Sequence, residues 1–180
     1  MAKPSFWLIH ALGVGFLILV LGGNNTTSGQ ETGVVITEVM WDGLEYVELY
    51  NPGSSDVSLE GWQLVRSHDS QEEQDVIVVF SATDVVSTQS YFLLEKKEEA
   101  TARAGDALAP SLVLHNDGNI LRLLNSSGQV IDDVGRIGPW LAGQNTEAGV
   151  SMERIAPHSD GKEATSWRTA TAILFGRVGS

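Results

Sequence analysis

Three glutamates, Glu38, Glu45 and Glu48, crowd the segment EVMWDGLEYVE. Carboxylates on neighbouring strands are the minimum equipment for general acid–base catalysis or for holding a hard cation. A structural use is the stronger expectation, because a glutamate drawn into a sheet needs a partner for its charge. Arg154, in Ser151–Arg154 (SMER), is expected to pair with Glu38 or Glu48. Two oxygen-rich stretches, HNDGN at 115–119 and SDGK at 159–162, resemble calcium loops superficially. Neither carries the spaced D-x-[DN]-x-[DN]-G ligands with a distant glutamate, and ordinary turn chemistry explains both. The acidic run from Asp69 to Asp75 reads as a solvated loop that collects a cation only loosely.

The four histidines, His10, His68, His115 and His158, are scattered and form no HExxH pair, so zinc is not expected. No G-x-S-x-G elbow and no phosphate-binding glycine loop occurs, and with no cysteine there is neither a thiol nucleophile nor a thiolate metal site. No catalytic residue, metal or cofactor is expected. Trp41 and Trp140, beside apparent loops, are the candidate ligand contacts, since flat apolar rings with polar rims suit glycans. Trp62 reads as a core anchor.

The elements that must position these residues are strands. From Val34 onward, short apolar alternations are punctuated by turn residues, with no sustained helical period. VVITEVMW makes a strand with Val34, Ile36 and Met40 on one face and Val35, Val39 and Trp41 on the other. Asp42-Gly43 turns it into EYVELYN, where Val47 and Leu49 share a face. Asn51-Pro52-Gly53 is a loop whose asparagine can bond its own turn backbone. Gly61, free to adopt a bulge conformation, leads Trp62 into the next strand. DVIVVF and STQSYFLLE add strands, and KKEEATARAG is a solvated loop or one helical turn. LVL (112–114), ILRLL and QVIDDV form a meander with turns at Asn116-Asp117-Gly118 and at Asn125 to Gly128. VSMERI and the Trp167 region each add an edge strand. Eight or nine short strands without a long helix indicate an all-β sandwich.

The chain has 180 residues, room for one ordinary domain plus a targeting segment. A formal charge of −12 disfavours nucleic acid and anionic lipid as partners. Before the domain, residues 6–21 are almost wholly apolar and follow Lys3, the pattern of an export signal or a short membrane anchor. Residues 1–29 are therefore expected to be a signal peptide or anchor, 30–33 a linker, and 34–180 the β domain, placed outside the cytoplasm as a secreted or cell-surface protein. Cysteine's absence leaves the core alone to hold an exported domain together and excludes lipid attachment through an N-terminal cysteine.

The segment VVITEVMWDGLEYVELYNPGSSDVSLEGWQL resembles the lamin-tail domain as found in exported bacterial proteins, through Glu38, Gly43, Glu45, Val47, Glu48, Leu49, Asn51, Pro52, Leu59, Gly61 and Trp62. The likeness continues through LVLHNDGNILRLLNSSGQVIDDVG, Trp140, Ser151–Arg154 and Trp167, and departs from it where Phe175 to Gly179 replaces a Gly-Thr-Pro-Gly motif. The resemblance implies an immunoglobulin-like sandwich with Glu38, Glu48, Asn51, Gly61, Trp62, Arg154 and Trp167 in structural roles. It also implies a non-enzymatic structural or interaction module that binds a protein or cell-envelope component. The alternative is a carbohydrate-binding module acting through exposed aromatics; an esterase or nuclease has no motif behind it.

Overall fold

The computed structural model describes residues 33–68, 74–98, 104–145 and 149–171. The expected export segment and nearly all of the linker lie outside these residues, as do much of the acidic run, the middle of KKEEATARAG and the closing Phe175 to Gly179. Among the described residues, twelve strands and one 3-10 turn (Ala164–Ser166) are present, and no helix is long and apolar enough to cross a membrane.

Valine, isoleucine and tyrosine fit a pleated, half-buried surface, and the first long strands are rich in them. β1 (Val35–Met40) and β2 (Tyr46–Tyr50) form an antiparallel hairpin. Its turn is set by Gly43 at φ +73°, a conformation that costs a residue with a side chain. β2 then pairs with β7 (Tyr91–Glu95), and β7 runs parallel to β8 (Ala107–Leu108). On the other side, β1 pairs with β11 (Met152–Arg154) and β11 with β12 (Trp167–Thr169). The six-stranded sheet thus has the order β12-β11-β1-β2-β7-β8. A second sheet, β10-β9-β4-β5, is built from β4 (Gln63–Ser67), β5 (Asp75–Val79), β9 (Ile120–Leu124) and β10 (Val130–Val134). β3 (Val57–Ser58) and β6 (Val85–Val86) pair separately.

The two large sheets bury one apolar cluster. Val34, Ile36, Val39, Val47, Leu49, Phe92 and Met152 come from the six-stranded side, and Leu64, Ile77, Leu121, Leu123 and Val134 from the other. Alternation places Val47 and Leu49 inward as expected. The first strand departs from strict alternation: its register with β2 shifts between Ile36 and Glu38. One extra residue moves the inward set from Val34 and Ile36 to Val39 and Trp41, so Met40 does not share their face.

Three other expectations are corrected. LVL at 112–114 is not a strand, although Leu112 and Leu114 are buried, because the Leu114 N–H is taken by the Glu45 carboxylate at 2.8 Å rather than by a neighbouring strand. The strand after Gly61-Trp62 begins at Gln63; Gly61 sits before it at φ +72°. SMER is an interior strand flanked by β1 and β12, and only β12 lies at the edge.

Candidate functional site

Glu38 is 2 % exposed, and its Oε1 accepts hydrogen bonds from the Tyr46 hydroxyl at 2.6 Å and the Ser151 hydroxyl at 2.5 Å. Burial, reinforced by the Glu38 charge and this hydrogen bond, pushes the Tyr46 phenol far above its ordinary value. Glu48 stands opposite Glu38 across the β1–β2 ladder and accepts the Thr37 hydroxyl at 2.8 Å. Hydroxyl donors thereby ease the repulsion of two like charges in register. Glu45, also buried, takes Lys96 on one oxygen and the Leu114 N–H on the other. All three carboxylates are used in holding the fold.

The expected pairing of Arg154 with Glu38 or Glu48 does not form. In the β1–β11 ladder Glu153 faces Glu38, and strand alternation turns Arg154 to the opposite side of the sheet, toward β10. There its Nη1 and Nη2 donate to the two oxygens of Asp132 at 2.8 and 3.0 Å, and Nη1 also donates to the Ile36 carbonyl at 3.1 Å. Asp132 Oδ2 accepts the Ile36 N–H at 2.8 Å. The guanidinium lies 5.4 Å from the centre of the Trp167 ring. This clamp joins the six-stranded sheet to the edge of the other, and the sequence reading missed its carboxylate. The only signal was the polar pair Asp132-Asp133 inside an otherwise apolar strand.

The remaining structural residues behave as turn and core devices. Asn51 accepts the Gly53 N–H at 2.9 Å through Oδ1 and donates through Nδ2 to the carbonyls of Ser55 and Val86. Trp62 is half-buried against the core; Trp167 is buried and donates through Nε1 to the Gly161 carbonyl at 3.0 Å.

Trp41 and Trp140 come together, though not as an open platform. Their rings stack at 5.0 Å with planes 19° apart, and Trp41 is only 4 % exposed. The β1 bulge turns Trp41 into the core, and Trp140 covers it while donating to the His115 carbonyl at 2.8 Å. Trp41 is therefore corrected from candidate ligand contact to core residue, and Trp140 is left half-buried as its lid.

The open aromatic surface lies elsewhere. Leu49 and Phe92 point into the core, so their neighbours Tyr50 and Tyr91 point out of the six-stranded sheet. Their rings are 4.6 Å apart, and Tyr91 is 51 % exposed. Partial burial and the nearby charges of Glu48 and Glu153 raise the Tyr91 phenol above its usual range. Glu153 is held by Arg168 at 2.8 Å. Sequence alternation assigned no role to this pair. The structure also brings His68, distant in sequence, beside His115 and Asp117.

The family model described as Lamin Tail Domain matches residues 27–138. No curated protein matches the chain. The matched span contains β1 to β10, and β11 and β12 complete the six-stranded sheet beyond it. With more than half of its length matched and an immunoglobulin-like all-β sandwich in place, the chain belongs to the lamin tail domain family.

Proposed function

We propose that this domain is a non-enzymatic binding module working outside the cytoplasm, and that it receives a basic protein or cell-envelope surface on the outward face of its six-stranded sheet. The observation that carries this reading is the Tyr50–Tyr91 pair, half-open to solvent and bordered by Glu48 and Glu153. Tyrosines give broad contact area at small conformational cost and are enriched at interface centres. The net charge of −12 favours cationic partners and steers their approach. The carboxylates that looked available for catalysis are occupied by Tyr46, Ser151, Thr37, Lys96 and a backbone N–H. The apolar run at residues 6–21, following Lys3, supports an exported location.

Enrichment of partners from an envelope fraction on the immobilised domain tests the proposal. A specific basic partner is expected, released by raised salt and lost with Tyr91→Ala. A partner retained equally by Tyr91→Ala would remove the tyrosine face from the reading. Glycan-array binding lost in the same variant would favour the carbohydrate alternative instead.

A further inference from the structure

We propose that His68, His115 and Asp117 form a binding site for one divalent transition-metal ion of the zinc class at the end of the β4–β9 ladder. The ladder closes with Ser67 opposite Ile120, so His68 emerges beside Asn119 and the 115–118 turn folds back over it. One ligand atom from each of the three side chains lies within 4.8 Å of the others, and His68 Nε2 is 3.8 Å from Asp117 Oδ2. Tetrahedral donors bonded to zinc at about 2.0–2.1 Å stand roughly 3.3 Å apart. The side chains are exposed, so rotation about their side-chain bonds can close the difference. The two imidazoles are stacked at 4.1 Å, and capture of the ion turns the His115 ring out of that stack.

What distinguishes this cluster from a chance meeting of surface groups is its support. His68 Nδ1 lies 3.0 Å from the Gly118 carbonyl, which fixes Nδ1 as the donor and leaves the Nε2 lone pair free on the Asp117 side. A backbone carbonyl on the far nitrogen is the usual means of orienting a metal-binding histidine. The His115 backbone is pinned on both polar groups: its N–H donates to Asn119 Oδ1 at 2.7 Å, and its carbonyl accepts from Gly118 N–H and Trp140 Nε1. Asn119 is 1 % exposed and reaches back to the Ser67 carbonyl, tying the turn to β4. Gly118 abuts the Gly138 carbonyl so closely that a Cβ would stand 1.9 Å from it. The turn is thus fixed in place while its ligands face solvent.

Two imidazoles with one carboxylate select a borderline ion such as zinc over calcium, which takes six to eight oxygens. Three protein ligands leave a fourth position for water or for a donor from outside the chain. The net charge of −12 concentrates cations around the molecule.

The test is a zinc titration of the full chain in metal-free buffer, followed by calorimetry and by the imidazole resonances in NMR, with His68→Ala, His115→Ala and Asp117→Asn alongside. One zinc per chain is expected, with the His68 and His115 signals shifting together and affinity falling at least about tenfold in each histidine variant. Each variant's fold is checked by its unchanged near-ultraviolet circular dichroism, since all three side chains lie outside the core. Absence of binding at millimolar zinc overturns the proposal. So does binding that both histidine variants leave intact, which places the ion elsewhere.

Discussion

At the scale of the residue, Arg154 connects the layers. Its side chain is 1 % exposed, and its bidentate partner Asp132 comes from the opposite sheet. Removing one member of a buried pair strands the other, at a cost of about 3–5 kcal/mol. Arg154→Met should lose that much in chemical denaturation; a loss below about 1 kcal/mol would show the pair to be dispensable. The arginine was legible in the sequence as a structural cation because a carboxylate drawn into a sheet needs a partner for its charge. Its partner was not, because choosing between Glu38, Glu48 and Asp132 requires knowing which face of β11 looks across the sandwich. Tyr46 yields a second prediction. In the unfolded chain its phenol ionises near pH 10, whereas in the fold ionisation is deferred well above that. The stability contributed by the neutral phenol is therefore complete below about pH 10 and drains away as pH rises further. Denaturation midpoints between pH 8 and 11.5 should fall in the parent. They should fall less steeply in Tyr46→Phe, which starts lower by about 1–3 kcal/mol for the hydrogen bond lost at buried Glu38. The slope should not vanish, because the raised Tyr91 phenol acts in the same direction. Parallel profiles would exclude Tyr46 as the source.

At the scale of the element, period-two alternation revealed most of the sheet. β2, β4, β5, β9 and β10 lie within a residue or two of where apolar spacing and glycine turns place them, while β7 begins only at Tyr91, four residues into STQSYFLLE. Two features defeated it. A one-residue bulge in β1 leaves no mark in composition, yet it reverses the inward face and carries Trp41 into the core. The LVL segment has the pattern of a strand, but its backbone is claimed by a side chain, and alternation cannot distinguish a ladder from a buried extended loop. The aromatic stack depends on Gly143, which stands at φ +87° with the Trp41 ring 2.1 Å from where a Cβ would sit. Gly143→Ala combines left-handed strain with overpacking and should cost about 2–5 kcal/mol. It should also abolish the near-ultraviolet signal of the coupled indoles; an unchanged signal would mean the stack does not rest on this contact.

At the scale of the whole molecule, the family match and the folded unit have different limits. Residues 27–138 omit β11 and β12, and with them Met152, Arg154 and Trp167, all buried against the rest. A fragment of residues 27–138 should therefore lack a cooperative thermal transition, and a sharp one would show that those strands are accessory. The sandwich class could be read from composition and spacing, and the structural or interaction module is what the resemblance to the lamin tail domain implied. The binding face could not be read from either, because Tyr50 and Tyr91 become neighbours only through the β2–β7 register. The most direct test of that face is photocrosslinking in intact cells, with a crosslinkable residue at position 91 on the tyrosine face or at position 76 on the exposed edge of the other sheet. The expected result is a discrete adduct with a basic protein from position 91 and none from position 76. Adducts from both positions alike, or none from position 91, would contradict a binding module that works through its tyrosine face.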